Sequence, residues 1–156
     1  MKEYSYYHAN ATRTGAMLRL KLEPTVYDVG TRIEGRLVLD LMLQTQGEIP
    51  SFDHANPLTV QLGVEDVVQF IQVLRGHYLS IQDGKGLFHV SPSTNSVIRF
   101  CHLCEPCPGF ELEIWQKDRS TSEERRGRFS FNSGKGEDIL LLSLLENALP
   151  VIAWGE

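Results

Sequence analysis

Val64-Glu65-Asp66-Val67-Val68-Gln69-Phe70-Ile71-Gln72-Val73-Leu74 is the stretch on which the reading of the fold turns. Val64, Val67, Val68, Ile71, Leu74 and Tyr78 recur at three- and four-residue steps, which predicts an amphipathic helix with its apolar stripe against a sheet. Upstream the period is two. In 16–23, Leu18, Leu20 and Leu22 fall on one face and Arg19, Lys21 and Glu23 on the other. After the Asp28-Val29-Gly30 turn signal, Ile33, Leu37, Leu39, Leu41 and Leu43 mark a second strand, with Arg32, Glu34, Arg36 and Asp40 opposite and Gly35 as a bend. Residues 44–57, holding Gly47, Pro50 and Pro57, read as a loop leading to a short strand over 58–62.

The same order of elements recurs after Gln82-Asp83-Gly84-Lys85-Gly86. Strands are predicted over 87–90, 97–103 and 110–117, with a turn at 91–95 and another at Pro106-Cys107-Pro108-Gly109. The charged run 118–126 reads as a solvated hairpin loop and 127–131 as the closing strand. Asn132 or Ser133 is positioned to cap a last helix, with Glu137 and Asp138 near the positive end of its dipole. Residues 139–145 are apolar on nearly every side, which predicts cover on more than one face; Pro150 is expected to stop or kink the helix, leaving Val151-Ile152-Ala153-Trp154 as an apolar tail.

A few letters repeat with the elements. Tyr7-His8 opens a segment ending in Glu23-Pro24, and Phe88-His89 opens one ending in Glu105-Pro106; Glu65-Asp66 leads into 67–71 as Glu137-Asp138 leads into 139–143. The expectation is one α+β domain over 1–156. It is a pseudo-twofold duplication of a mostly antiparallel sheet plus helix, ββββα-ββββα, with halves near 4–82 and 83–155, each helix lying on its own sheet.

Length and composition agree with one globular core: 156 residues, 42% hydrophobic and 22% charged, suit a single domain. No window approaches the ~18–20 apolar residues of a membrane span, and the start Met1-Lys2-Glu3-Tyr4 lacks the apolar stretch of a signal peptide. Three cysteines within seven residues make a poor disulfide framework, so a cytoplasmic setting is expected. The net charge of −5 excludes a protein coated in positive charge, so any contact with nucleic acid must be local.

The chain resembles the Whirly-type superfamily, which includes plant Whirly proteins, kinetoplastid mitochondrial guide-RNA-binding proteins and coactivator-type single-stranded DNA binders. Within it, the chain looks closest to little-characterised bacterial members. The resemblance rests on Tyr7-His8-Ala9-Asn10-Ala11, on Phe88-His89 after Asp83-Gly84-Lys85-Gly86, and on the turn from Glu105-Pro106 to Gly109-Phe110, and it spans about residues 4–155. It implies the fold, binding of single-stranded DNA or RNA, a role related to transcription, and homo-oligomeric assembly. The lysine-glycine-lysine-rich strand of the plant proteins is absent; Arg32 to Arg36, the corresponding region, has no lysine.

Single-stranded nucleic acid is held by rings that stack on bases and cations that track the backbone. Opposite the apolar rows lie Arg19, Lys21, Arg32 and Arg36 in the first half and Arg99, Trp115, Lys117, Arg126 and Arg128 in the second. Tyr4, Tyr6, Tyr7, His8, Phe88 and His89 can supply stacking rings, Tyr7 and Phe88 above all. The competing reading is a pair of ordinary solvated faces, because Glu23, Glu34, Asp40, Glu111 and Glu113 alternate with the cations; the chain is then a protein-interaction or scaffold module. Cys101, Cys104 and Cys107, with His102 or His89 as a fourth ligand, are the candidate metal set, read in preference as small buried or turn thiols because Cys101 and Cys104 project to opposite faces of a regular strand. No cofactor is expected. Gly84-Lys85-Gly86 and Gly134-Lys135-Gly136 are too short for a phosphate-binding loop, and the five histidines are scattered, so no enzyme is expected. Assembly is expected through the C-terminal helix and tail.

Overall fold

Backbone hydrogen bonding in period-two segments, interrupted where glycine or proline bends the chain, lays down two four-stranded antiparallel sheets in the computed structural model, which describes residues 2–156. The first sheet joins β1 (Lys2–His8), β2 (Ala16–Glu23), β5 (Arg36–Leu43) and β6 (Leu58–Leu62) in the order β1-β2-β5-β6, and α1 (Val64–Leu74) follows it. The second joins β7 (Leu87–Val90), β8 (Thr94–Leu103), β9 (Gly109–Asp118) and β10 (Glu124–Asn132) in the order β10-β9-β8-β7, and α2 (Glu137–Trp154) follows. Each sheet is a meander in chain order, so the element order strand, strand, strand, strand, helix occurs twice. The architecture is α+β, with two α-helices among the described residues.

One feature of the first half has no counterpart in the second. The β2–β5 hairpin continues past a break at Pro24-Thr25 and Glu34-Gly35 into β3 (Val26–Asp28) and β4 (Thr31–Ile33), which pair separately from the main sheet. The bend needs Gly35: a Cβ there would lie 2.4 Å from the Glu23 carbonyl oxygen and the Thr25 nitrogen.

Both apolar faces and both helices close on one core. Leu18, Leu20, Leu39 and Leu62 from the first sheet, Leu112 and Phe131 from the second, Phe70 from α1, and Leu141 and Leu145 from α2 meet around a single point. Phe70 stacks on Phe100 of β8 with ring centroids 4.7 Å apart, a contact worth ~0.5–1.5 kcal/mol beyond its area. Each helix is therefore not confined to its own sheet, as the periodicity alone implies; α1 packs across onto the second half. Gly127 on β10 permits the close approach of the sheets, since a Cβ there would sit 2.8 Å from the methyls of both Leu41 and Leu58.

Several local expectations shift. Residues 2–8 form a strand that their weak alternation conceals, and β10 starts at Glu124, inside the run read as loop. The first helix ends at Leu74, so Tyr78 lies exposed beyond it. Asn132 caps a short 3-10 turn by accepting from the Lys135 amide, and Gly136 precedes α2. Pro150 neither stops nor ends α2, which runs through it to Trp154. Only the stripe Leu141, Leu145, Ala148 and Ile152 is buried within the chain, while Ile139 and Trp154 are exposed. The final turn docks on the first half: Thr25 donates its amide to the Val151 carbonyl at 3.1 Å and its hydroxyl to the Ile152 carbonyl at 2.7 Å.

Candidate nucleic-acid interface

Because β7, β8, β9 and β10 alternate in and out, register places every second residue of each on one outer face. Phe88 pairs with Val97, Val97 with Trp115 and Trp115 with Arg126, so these four form a row running straight across the second sheet. Phe88 is 67% exposed, and Val90, on the same edge strand, is also exposed. The next row along the strands is Arg99, Glu113 and Arg128, and the row on the other side is Val90, Asn95, Lys117 and Glu124. Six of the predicted residues, Phe88, Arg99, Trp115, Lys117, Arg126 and Arg128, are thus brought onto one surface. Val90, Val97 and Asn95 were not singled out in the sequence, although the register of a meander, once known, would have found them.

The electrostatics of this face are uneven. Glu113 accepts from Arg99 at 3.1 Å and from Arg128 at 2.9 Å, one carboxylate serving two guanidiniums. Partial burial works against its ionisation, but the hydrogen bonds from Arg128 and Arg99 prevail and hold the carboxyl below its usual range. Among the described residues, neither Lys117 nor Arg126 has a carboxylate within 4.0 Å. Four cations against three carboxylates, Glu111, Glu113 and Glu124, leave this face with a small positive excess.

On the first sheet the cations are paired. Arg19 and Lys21 both reach Asp40 Oδ2 at 3.0 Å, and the Thr59 hydroxyl donates to its other oxygen at 2.6 Å. Asp40 is 2% exposed; burial opposes its charge, but the Thr59, Lys21 and Arg19 hydrogen bonds outweigh that and keep it ionised to lower pH than an ordinary aspartate. Arg36 is held by Glu23 and Gln61, and Arg32 lies on the β3–β4 hairpin, donating to the Ala153 carbonyl at 2.7 Å. Tyr7 is exposed on this outer face, its ring 6.1 Å from Phe52. The predicted set therefore divides between the outer faces of the two sheets, with Arg32 on the β3–β4 hairpin.

Tyr6, His8 and His89 are already engaged within the chain. Tyr6 is buried, edge-on to Phe131 at 5.3 Å, because its even position in β1 points it into the core; burial pushes its phenol pKa well above the normal value. His8 stacks on Phe129 at 4.4 Å and contacts Glu137 at 2.6 Å, and His89 contacts Asp66 at 3.1 Å. Tyr4 sits edge-on to Tyr6 at 5.1 Å. An open cleft of about 580 Å³ lies beside the His8–Glu137 pair, lined by Tyr7, Leu103, Cys107, Arg128 and Lys135 among others.

The cysteines divide as well. Cys101 is half-buried in β8 opposite Glu111, and burial followed by the charges of Glu111 and Glu113 raises its thiol pKa. Cys104 and Cys107 are exposed on the β8–β9 turn. The structure gathers no group of three or more metal-ligating side chains among the described residues. No helix among them is long and apolar enough to cross a membrane.

No protein-family model matches the chain, and no curated protein does. Solved structures do. WHY3 from Arabidopsis thaliana is similar at a TM-score of 0.75 and 16% identity, with 98% of this chain and 89% of that chain covered. The plant transcriptional regulator PBF-2 gives a TM-score of 0.75 and 16% identity, covering 97% and 82%. A guide-RNA-binding protein complex bound to a gRNA gives 0.57 and 18%, covering 96% and 88%. Two antiparallel meanders, each followed by a helix and closing on a shared core, match these structures over nearly the whole chain: this protein has the Whirly fold.

Proposed function

We propose that this chain is a non-catalytic binder of single-stranded DNA or RNA, acting in the cytoplasm as a homo-oligomer and connected with transcription. The carrying observation is the row Phe88, Val97, Trp115 and Arg126 across the second sheet, flanked by Lys117 without an ion-pair partner among the described residues. Rings offer sequence-tolerant stacking and the cations a track for phosphates, the two terms that bind single strands. The solved structures of the same fold lend support, one of them bound to a gRNA. In this reading the halves 4–82 and 83–155 are copies of one unit, and copies of the chain assemble through α2 and its last turn, where Ile139 and Trp154 are exposed.

A second reading, a protein-interaction module, is favoured by the neutralised first sheet and by the exposed apolar tip Tyr27, Val29 and Ile33 of the β3–β4 hairpin. Fluorescence anisotropy with labelled single-stranded and duplex oligonucleotides at two salt concentrations separates them. The expected result is preference for single strands, weakening with salt, a loss of ~1–3 kcal/mol in Trp115→Ala and a flatter salt slope in Lys117→Ala. Lys21→Ala is expected to change little, because its ammonium is already held by Asp40. Equal, negligible affinity for both oligonucleotides would leave the interaction module standing.

A further inference from the structure

The turn between β8 and β9 spends two of its five residues on exposed cysteines. Leu103 and Gly109 are paired across the ladder, so 104–108 must return the chain over one interstrand spacing of roughly 5 Å. Where such a return bends as a β-turn, residues three apart come within about 7 Å at Cα, close to the roughly 4.4–6.8 Å that a disulfide requires. Cys104 and Cys107 stand at that spacing, Cys104-Glu105-Pro106-Cys107, and both are exposed. His102 Nδ1 lies 3.9 Å from Cys104 Sγ, a long S···N contact that sets an imidazole beside the thiol. Cys101 is set apart from this pair: it is half-buried within β8, facing Glu111 across the ladder.

We propose that Cys104 and Cys107 are a reversible dithiol modification site, oxidised to an intramolecular disulfide by small-molecule disulfides of the glutathione class. Cys104, its proton passed to His102, attacks the S–S bond of the oxidant, forming a mixed disulfide and releasing one thiol. Cys107 then attacks the Cys104 sulfur, the mixed S–S bond breaks and the second thiol leaves with the Cys107 proton, while the proton held on His102 passes to the first leaving sulfur. Two protein thiols are oxidised, the external disulfide is reduced to two thiols, and the two electrons and two protons balance. The bond would staple the rim of the cleft that Cys107 lines with Tyr7, His8 and Lys135.

The test equilibrates the full chain in glutathione buffers from reducing to oxidising, followed by alkylation, intact mass and peptide mapping. The expected result is loss of two hydrogens and of two alkylatable thiols together, a Cys104–Cys107 crosslink, and Cys101 still alkylated once the chain is unfolded. Cys107→Ser should retain one glutathione on Cys104, and His102→Ala should slow oxidation several-fold at neutral pH. Disulfides that join separate copies, consumption of Cys101, or three thiols persisting at the most oxidising poise would overturn the proposal. Circular dichroism of each variant separates misfolding from loss of the chemistry, and a folded Cys107→Ser that takes up no glutathione would count against it.

Discussion

His89 Nε2 stands 3.1 Å from Asp66 Oδ2, tying the first strand of the second half to the first turn of the first half's helix. The relationship is reciprocated by His8 on β1 and Glu137 at the start of α2, 2.6 Å apart. In each case the histidine follows an exposed ring, Tyr7 or Phe88, and the carboxylate also caps: Asp66 accepts from the Gly63 amide and Glu137 from the Asn132 amide. The repeated letter pairs in the two halves thus become two matching clasps between them.

The His89 clasp has a pH signature. The hydrogen bond to Asp66 raises the His89 pKa, against the opposing effect of burial; Arg32, Arg36, Glu34 and Glu65 line the same open cleft. A histidine raised above its unfolded value contributes stability that is complete below pH ~6.5 and disappears as pH climbs through the folded pKa. His89→Gln is therefore expected to cost about 0.5–1 kcal/mol near pH 6 and less at pH 9, by urea denaturation. A cost that grew with pH would contradict this sign.

Glu113 restrains the candidate interface. Glu113→Gln removes the carboxylate that binds Arg99 and Arg128, freeing two guanidiniums on the face bearing Trp115. Affinity for single strands should rise several-fold at low salt, and the log–log salt slope should steepen by about one to two, as more phosphates are neutralised. Anisotropy titrations across salt check both. An unchanged slope would mean that this face does not meet phosphate.

Gly127 marks where the sheets touch. Gly127→Val must push its side chain into Leu41 and Leu58, which a Cβ already approaches to 2.8 Å, and should cost about 1–3 kcal/mol by overpacking. Adding Leu58→Ala should make the double mutant more stable than the sum of the single effects, read as coupling in a double-mutant cycle. Strict additivity would place the strain elsewhere.

Thr25 is the pin for the last turn of α2. Its buried hydroxyl donates to the Ile152 carbonyl at 2.7 Å and accepts from the Gly35 amide at 2.6 Å. Thr25→Val keeps the shape but strands both groups, at a cost of about 1–3 kcal/mol. Hydrogen exchange should accelerate at Gly35 and over 151–155; no local change would show that the final turn is held by packing alone.

Much of this could be read from residue order. The switch from period two to period 3.6 at Val64, and again near Glu137, specified two sheet-plus-helix units, because alternation and helical stripes each bury only one face. Trp115 and Phe88 are also visible as outward residue types on separate strands, whereas Arg126 falls at the end of a run that reads as a loop. Register alone put them in one row, since pairing depends on turn lengths and on which neighbour a strand meets. The fate of the charges was likewise a matter of tertiary structure. Arg19 and Lys21 look no different from Lys117 in the sequence, yet Asp40, buried and hydrogen-bonded by Thr59, captures the first two, while Lys117 meets no such acid among the described residues. Local periodicity is encoded within a few neighbouring residues, whereas the partner of a charge is chosen by folding across the whole chain.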